Sequence, residues 1–120
     1  MIDRQSTREL KMDFIKSDSA ETEANAFYQN FDEKFSITSQ SVLKLLEQNQ
    51  PYKALENLLL FVGTANSYIQ TKTNIINKLT GIISQLKMLL QNIANMIKAA
   101  SYSISVSAPF GISISITWNV

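Results

Sequence analysis

The chain has no cysteine and no histidine, and only three glycines and two prolines in 120 residues. Without cysteine there is no disulfide framework, no thiolate nucleophile and no thiolate metal site. Without histidine the commonest metal ligand and the usual general base near neutral pH are both missing. Three scattered glycines are too few to hide a phosphate-cradling loop. No run of about 18 apolar residues occurs, so no helix is expected to span a membrane. The opening stretch MIDRQSTREL is too charged for a secretory signal, which favours a cytoplasmic setting.

Acidic residues run out early. Residues 1–35 hold eight acids and five bases, whereas residues 36–120 hold two acids and six lysines. After Glu56 the only charges are Lys72, Lys78, Lys87 and Lys98. A monomer surface usually carries more charge than this, so the second half is a candidate for extensive burial.

Little chemistry is left to assign. Serines are plentiful, but their only possible bases are carboxylates and lysines. Glu21 with Glu23, and Asp32 with Glu33, do not stand three or four apart, so neither pair shares a helix face. An acid-only cation loop needs alternating carboxylates and a glycine, and no such run exists. We therefore assign no catalytic, cofactor-binding or metal-binding residue and expect a protein that is not an enzyme. Taken as one continuous helix, Lys72, Lys87 and Lys98 would share a side within about 80° of one another. Three lysines without an arginine make a weak phosphate footprint, so nucleic acid is an unlikely partner. Tyr28, Tyr52, Tyr68 and Trp118 sit on or beside apolar faces and read as core packing.

What is present is hydrophobic periodicity. ELKMDFIK contains the i, i+4 pair Leu10–Phe14 and is read as a short helix. Asp18 with Glu21 three places on reads as a variant capping box. Ala24, Phe27, Tyr28, Phe31, Phe35, Val42, Leu45 and Leu46 then recur at spacings of three and four. They mark one face of a helix from about Ser19 to Gln48, with Thr38 in the gap as a weak middle. Pro51 disfavours helix before it and suits the first position of a new one.

From Pro51 to Ala100 seven heptads stay in register. With Leu55 as position a, Val62, Ile69, Ile76, Ile83, Leu90 and Ile97 follow, and Leu79, Leu86 and Ile93 lie among the d positions. The g positions are apolar too. Such a face is wider than a two-stranded coiled-coil seam and asks for at least two neighbouring helices. QTKTN around Lys72 is poor helix material, so a turn is expected near 71–74, giving helices over 52–70 and 74–100. A single long helix in a dimerising hairpin is the alternative.

The last twenty residues, SYSISVSAPFGISISITWNV, alternate serine or threonine with apolar residues and carry no charge. Pro109 and Gly111 suit a three-residue hairpin loop, with glycine in the left-handed conformation. The implied pairs are Ala108–Ile112, Val106–Ile114, Ile104–Ile116 and Tyr102–Trp118. All large side chains then fall on one face and the serines on the other. A lone hairpin is marginal in water, so that face needs a cover: the chain's own helices, another copy, or lipid. The apolar and serine faces resemble, in shape only, the hairpins of pore-forming toxins. No toxin motif accompanies them.

The expected architecture is mainly α: an antiparallel bundle of two to three long helices over 1–100 with a C-terminal β-hairpin over 101–120, in one domain. The expected role is self-association, in a homo-oligomer or with a protein partner. Tyr102, Ile104, Val106, Ile112, Ile114, Ile116 and Trp118 are the candidate interface residues. The alternatives are a membrane-active protein using the hairpin and a weak nucleic-acid binder.

Overall fold

The computed structural model describes residues 20–118. The short helix expected around Leu10–Phe14, and the Asp18 cap, lie outside the described residues. Four helices are followed by a two-stranded antiparallel hairpin. We label them α1 (residues 20–29), α2 (Phe31–Glu47), α3 (Pro51–Tyr68), α4 (Ile75–Met96), β1 (Ser101–Ser107) and β2 (Gly111–Thr117). The described part is elongated, 62 × 28 × 27 Å.

The single helix expected from about Ser19 to Gln48 is interrupted, and not at its weak middle. Thr38 stays helical, its hydroxyl donating to the Lys34 carbonyl at 3.0 Å. The break falls at Asn30, whose side-chain amide donates to the Ala26 carbonyl at 2.9 Å. Such back-bonding competes with the helical ladder, and asparagine does it more readily than most residues. α2 ends in a Schellman closure. Asn49 takes φ 59°, Gln50 N–H bonds Leu45 C=O at 2.8 Å, and Asn49 N–H bonds Leu46 C=O at 3.0 Å. Pro51 occupies the first turn of α3.

Residues 69–74 form a turn, so the long uninterrupted helix is excluded. Thr71 and Lys72 N–H groups both bond the Tyr68 carbonyl, which closes the end of α3. Lys72, the charged violation of the heptad pattern, lies in this turn rather than in a helical core. The heptad phase survives it. Ala54, Leu58, Phe61, Val62 and Ala65 of α3 are buried, as are Ile75, Leu79, Ile82, Leu86, Leu89, Leu90 and Ile93 of α4. α2 packs on α3, and both touch α4. Between α1–α2 and α3, Phe27, Phe31, Phe35 and Phe61 form an aromatic cluster with ring centroids 5.6–5.9 Å apart. α4 ends like α2: Lys98 adopts φ 58° and Ala99 N–H bonds Ala94 C=O at 3.0 Å. The chain then reverses straight into β1.

The hairpin forms, but the expected register is corrected by two residues. Val106 faces Ile112, Ile104 faces Ile114, Tyr102 faces Ile116 and Ser107 faces Gly111. The connection is Ala108–Phe110 rather than Pro109–Gly111, and Gly111 opens the second strand at φ 92°. A shift of two leaves the faces unchanged, because strand side chains alternate with period two. What holds β2 in place on α3 is outside the strand ladder. The Asn66 amide of α3 donates through Nδ2 to the Ile112 carbonyl and accepts through Oδ1 from the Ile112 N–H, both at 2.9 Å. A Cβ on Gly111 would overlap the side chains of Asn66 and Ile69. Glycine is therefore needed here for its positive φ and for the close approach of α3.

Two outcomes follow for stability. Asn66→Ala strands two main-chain groups of Ile112 and is expected to cost about 1–3 kcal/mol. Faster amide exchange at Ile112 should accompany it, both read by urea unfolding and hydrogen exchange. Lys98→Gly relieves a left-handed non-glycine residue and should stabilise the fold by about 1 kcal/mol.

Candidate functional site: the C-terminal hairpin

Alternation in SYSISVS and GISISIT divides the hairpin into two faces. Tyr102, Ile104, Val106, Ile114 and Ile116 are half-buried and pack against the helical core, and Ile112 is fully buried within it. The serines of both strands are exposed. Of the three possible covers, the chain's own helices fill the place: both strands lie on α4, and β2 also meets α3. Six of the seven candidate residues are thus brought together on one seat. Trp118 is not among them. It follows the last ladder residue, Thr117, is 42% exposed, and does not pair with Tyr102.

The ladder also determines which main-chain groups face outward. In an antiparallel pair, residues alternate between exchanging hydrogen bonds with their partner and pointing N–H and C=O away. Asn66 takes both groups of Ile112, so Ile112 is an outward residue. By alternation, Ile114 and Ile116 on β2, and Tyr102, Ile104 and Val106 on β1, are outward as well. Among the described residues, no hydrogen bond from another element reaches those five. Neither edge carries a charged side chain to discourage pairing.

The hairpin tip and the helices leave further apolar surface open. Phe110 is 78% exposed at the loop. A trough of about 540 Å³ runs between α1–α2 and α3, floored by Phe27 and Phe61 and rimmed by Ile37 and Leu60. These two rim residues are 60% and 69% exposed. Polar contacts edge the trough: Asn57 Nδ2 donates to Ser41 Oγ at 3.1 Å, and the Tyr68 hydroxyl donates to Glu23 at 3.4 Å. Partial burial, and then the Glu23 carboxylate, hold the Tyr68 phenol above its ordinary pKa.

The remaining aromatic and basic residues separate. Lys72 and Lys78 place their ammonium groups 5.0 and 5.3 Å from the centre of the Tyr28 ring, two cations over one phenol. Lys87 and Lys98 are exposed on and after α4. The grouping of Lys72 with Lys87 and Lys98 assumed one continuous helix, and the turn at 69–74 breaks that assumption. Tyr52, expected in the core, is 59% exposed. Among the described residues no group of three or more acidic side chains could hold a metal ion, and no helix is long and apolar enough to cross a membrane.

Asn66 was not anticipated from the sequence. Its signal was a poor helix former in the last turn of α3, beside the buried Ala65. No protein-family model, curated protein or solved structure matches the chain.

Replacing Glu23 with Gln should lower the Tyr68 pKa towards the ordinary tyrosine value, because the charge that opposes phenolate formation is gone. Ultraviolet titration of the variant against the parent chain measures the change.

Proposed function

We propose that this protein is a non-enzymatic assembly protein. Its helices pack as an antiparallel bundle, its hairpin belongs to the same domain, and it works by associating with further copies. The observation that carries the reading is the hairpin's combination of a seated face with open, uncharged edges. Seven-residue strands with free main-chain groups are templates for pairing, and chains that stay monomeric usually block such edges with charge, proline or a covering element. The exposed Ile37, Leu60 and Phe110 add apolar surface that a neighbouring molecule would cover.

The seat of the hairpin supports assembly over membrane insertion. Its apolar face is already packed on α4 and α3, and its seven-residue strands are shorter than the nine to eleven residues a membrane barrel strand needs. The scattering of the lysines likewise gives no phosphate-tracking stripe.

Multi-angle light scattering over a wide concentration range is expected to give a dimer or larger species. A monomer at every concentration would refute self-association. Truncation after Ala100 is expected to cause precipitation rather than a clean monomer, because it removes Ile112 from the core and uncovers α4.

A further inference from the structure

The proposed assembly leaves open which edge is used and in what register, and the structure answers both. We propose that two copies join through their β1 strands, antiparallel about a two-fold axis at Ile104, to make a four-stranded sheet in the order β2-β1-β1-β2. This rests on the self-association proposed above and specifies its geometry.

Three observations select this edge and this partner. First, the two edges are not equivalent. On β2 the leading outward residue, Ile112, is already bonded at both main-chain groups by Asn66. A strand added there would have to displace the amide or stop short of it. On β1 all three outward residues, Tyr102, Ile104 and Val106, have N–H and C=O free among the described residues.

Second, β1 is its own complement. Read from either end, Ser101–Ser107 alternates serine and apolar residues about Ile104. Antiparallel pairing centred on that residue sets Ile104 against Ile104, Tyr102 against Val106, Ser103 against Ser105 and Ser101 against Ser107. All seven positions match in kind, which a two-fold interface requires of a single patch. Pairing about any other residue leaves part of the strand unmatched.

Third, nothing opposes it electrostatically. Residues 101–120 contain no charge, so two copies meet without like-charge contact. The rotation keeps the faces. Both apolar faces stay towards α4 of their own copy, and both serine faces stay towards solvent.

Since the chain has no cysteine, introduced thiols report alone. At the paired positions Ser103 and Ser105, neither residue exchanges hydrogen bonds, and the Cα atoms stand about 4.5 Å apart, within reach of a disulfide. Ser103 and Ser103 of the two copies would stand about 8 Å apart, too far to bridge. Under oxidised glutathione, a mixture of Ser103→Cys and Ser105→Cys chains is expected to link into heterodimers. Either variant alone is expected to stay largely unlinked. Both serines are exposed, so the fold should tolerate the change, checked by circular dichroism. As a second readout, Ser103→Lys with Ser105→Lys should shift the light-scattering mass to the monomer, whereas Ser103→Lys with Ser105→Asp should keep the dimer. An oligomer that shows no cross-linking in the mixture, or that links either variant alone as readily, overturns the β1 geometry and leaves self-association standing. A monomeric parent chain overturns both.

Discussion

The double hydrogen bond between Asn66 and Ile112 is the contact on which the rest of the molecule's plan depends. The hairpin would otherwise be held by apolar contacts alone, which fix how deeply a ribbon sits but not where along a helix it stops. The carboxamide supplies that stop. It engages both main-chain groups of one residue, so it anchors β2 to α3 at Ile112. Sliding the hairpin by two residues would bring the outward groups of Ile114 to the same amide, but it would also set Ser113, with its Cβ, where only a glycine fits against Asn66 and Ile69. Gly111 completes the arrangement, for any side chain there would push α3 away.

α4 is the wall shared by everything else. One side meets α2 and α3 and another meets the hairpin, so its buried positions occupy more of its circumference than a two-helix seam would need. Burial does not by itself account for the scarcity of charge after Glu56: Leu59, Leu60, Met88 and Phe110 are exposed, and uncharged serines, threonines and amides cover much of the rest. The shared wall also makes the tail structural. Ile112 belongs to the same core as Leu79 and Leu86, so helices and hairpin depend on one another.

Much of this was legible in the residues, and the failures have physical causes. Apolar spacing located α2, α3 and α4 to within a few residues, because three- and four-residue recurrence directly reports a buried helix face. Threonines and an asparagine around Lys72 marked the turn against an unbroken heptad register, and local propensity proved the better guide there. Strand alternation assigned the side chains of the ladder to their faces but put Trp118, which is exposed beyond the ladder, on the apolar one. The pairing was not legible, since registers that differ by two residues give identical faces, and neither was the distant contact that seats β2 on α3. That contact, Asn66 to Ile112, spans 46 positions and has no periodic signature. Asn30 interrupts the helix that was expected to run unbroken from about Ser19 to Gln48, whereas Thr38, read as its weak middle, stays helical. Both residues bond back to a carbonyl four residues earlier, and the pattern alone gives no reason to choose between them.

The same asparagine bears on why such a hairpin would assemble without forming fibres. A two-stranded ribbon with two equivalent open edges adds copies without limit, and uncharged edges are the usual route to that outcome. Making the edges unequal changes the result. If β1 pairs with β1, the two-fold axis consumes that edge in both molecules, and the only edges left are those of β2. There the outward groups of Ile112 are already taken, which leaves only Ile114 and Ile116 open, too short a stretch for a stable added strand. On this argument one carboxamide has two effects that pull the same way. Inside the monomer it anchors β2 on α3, and outside it confines growth to a single closed step.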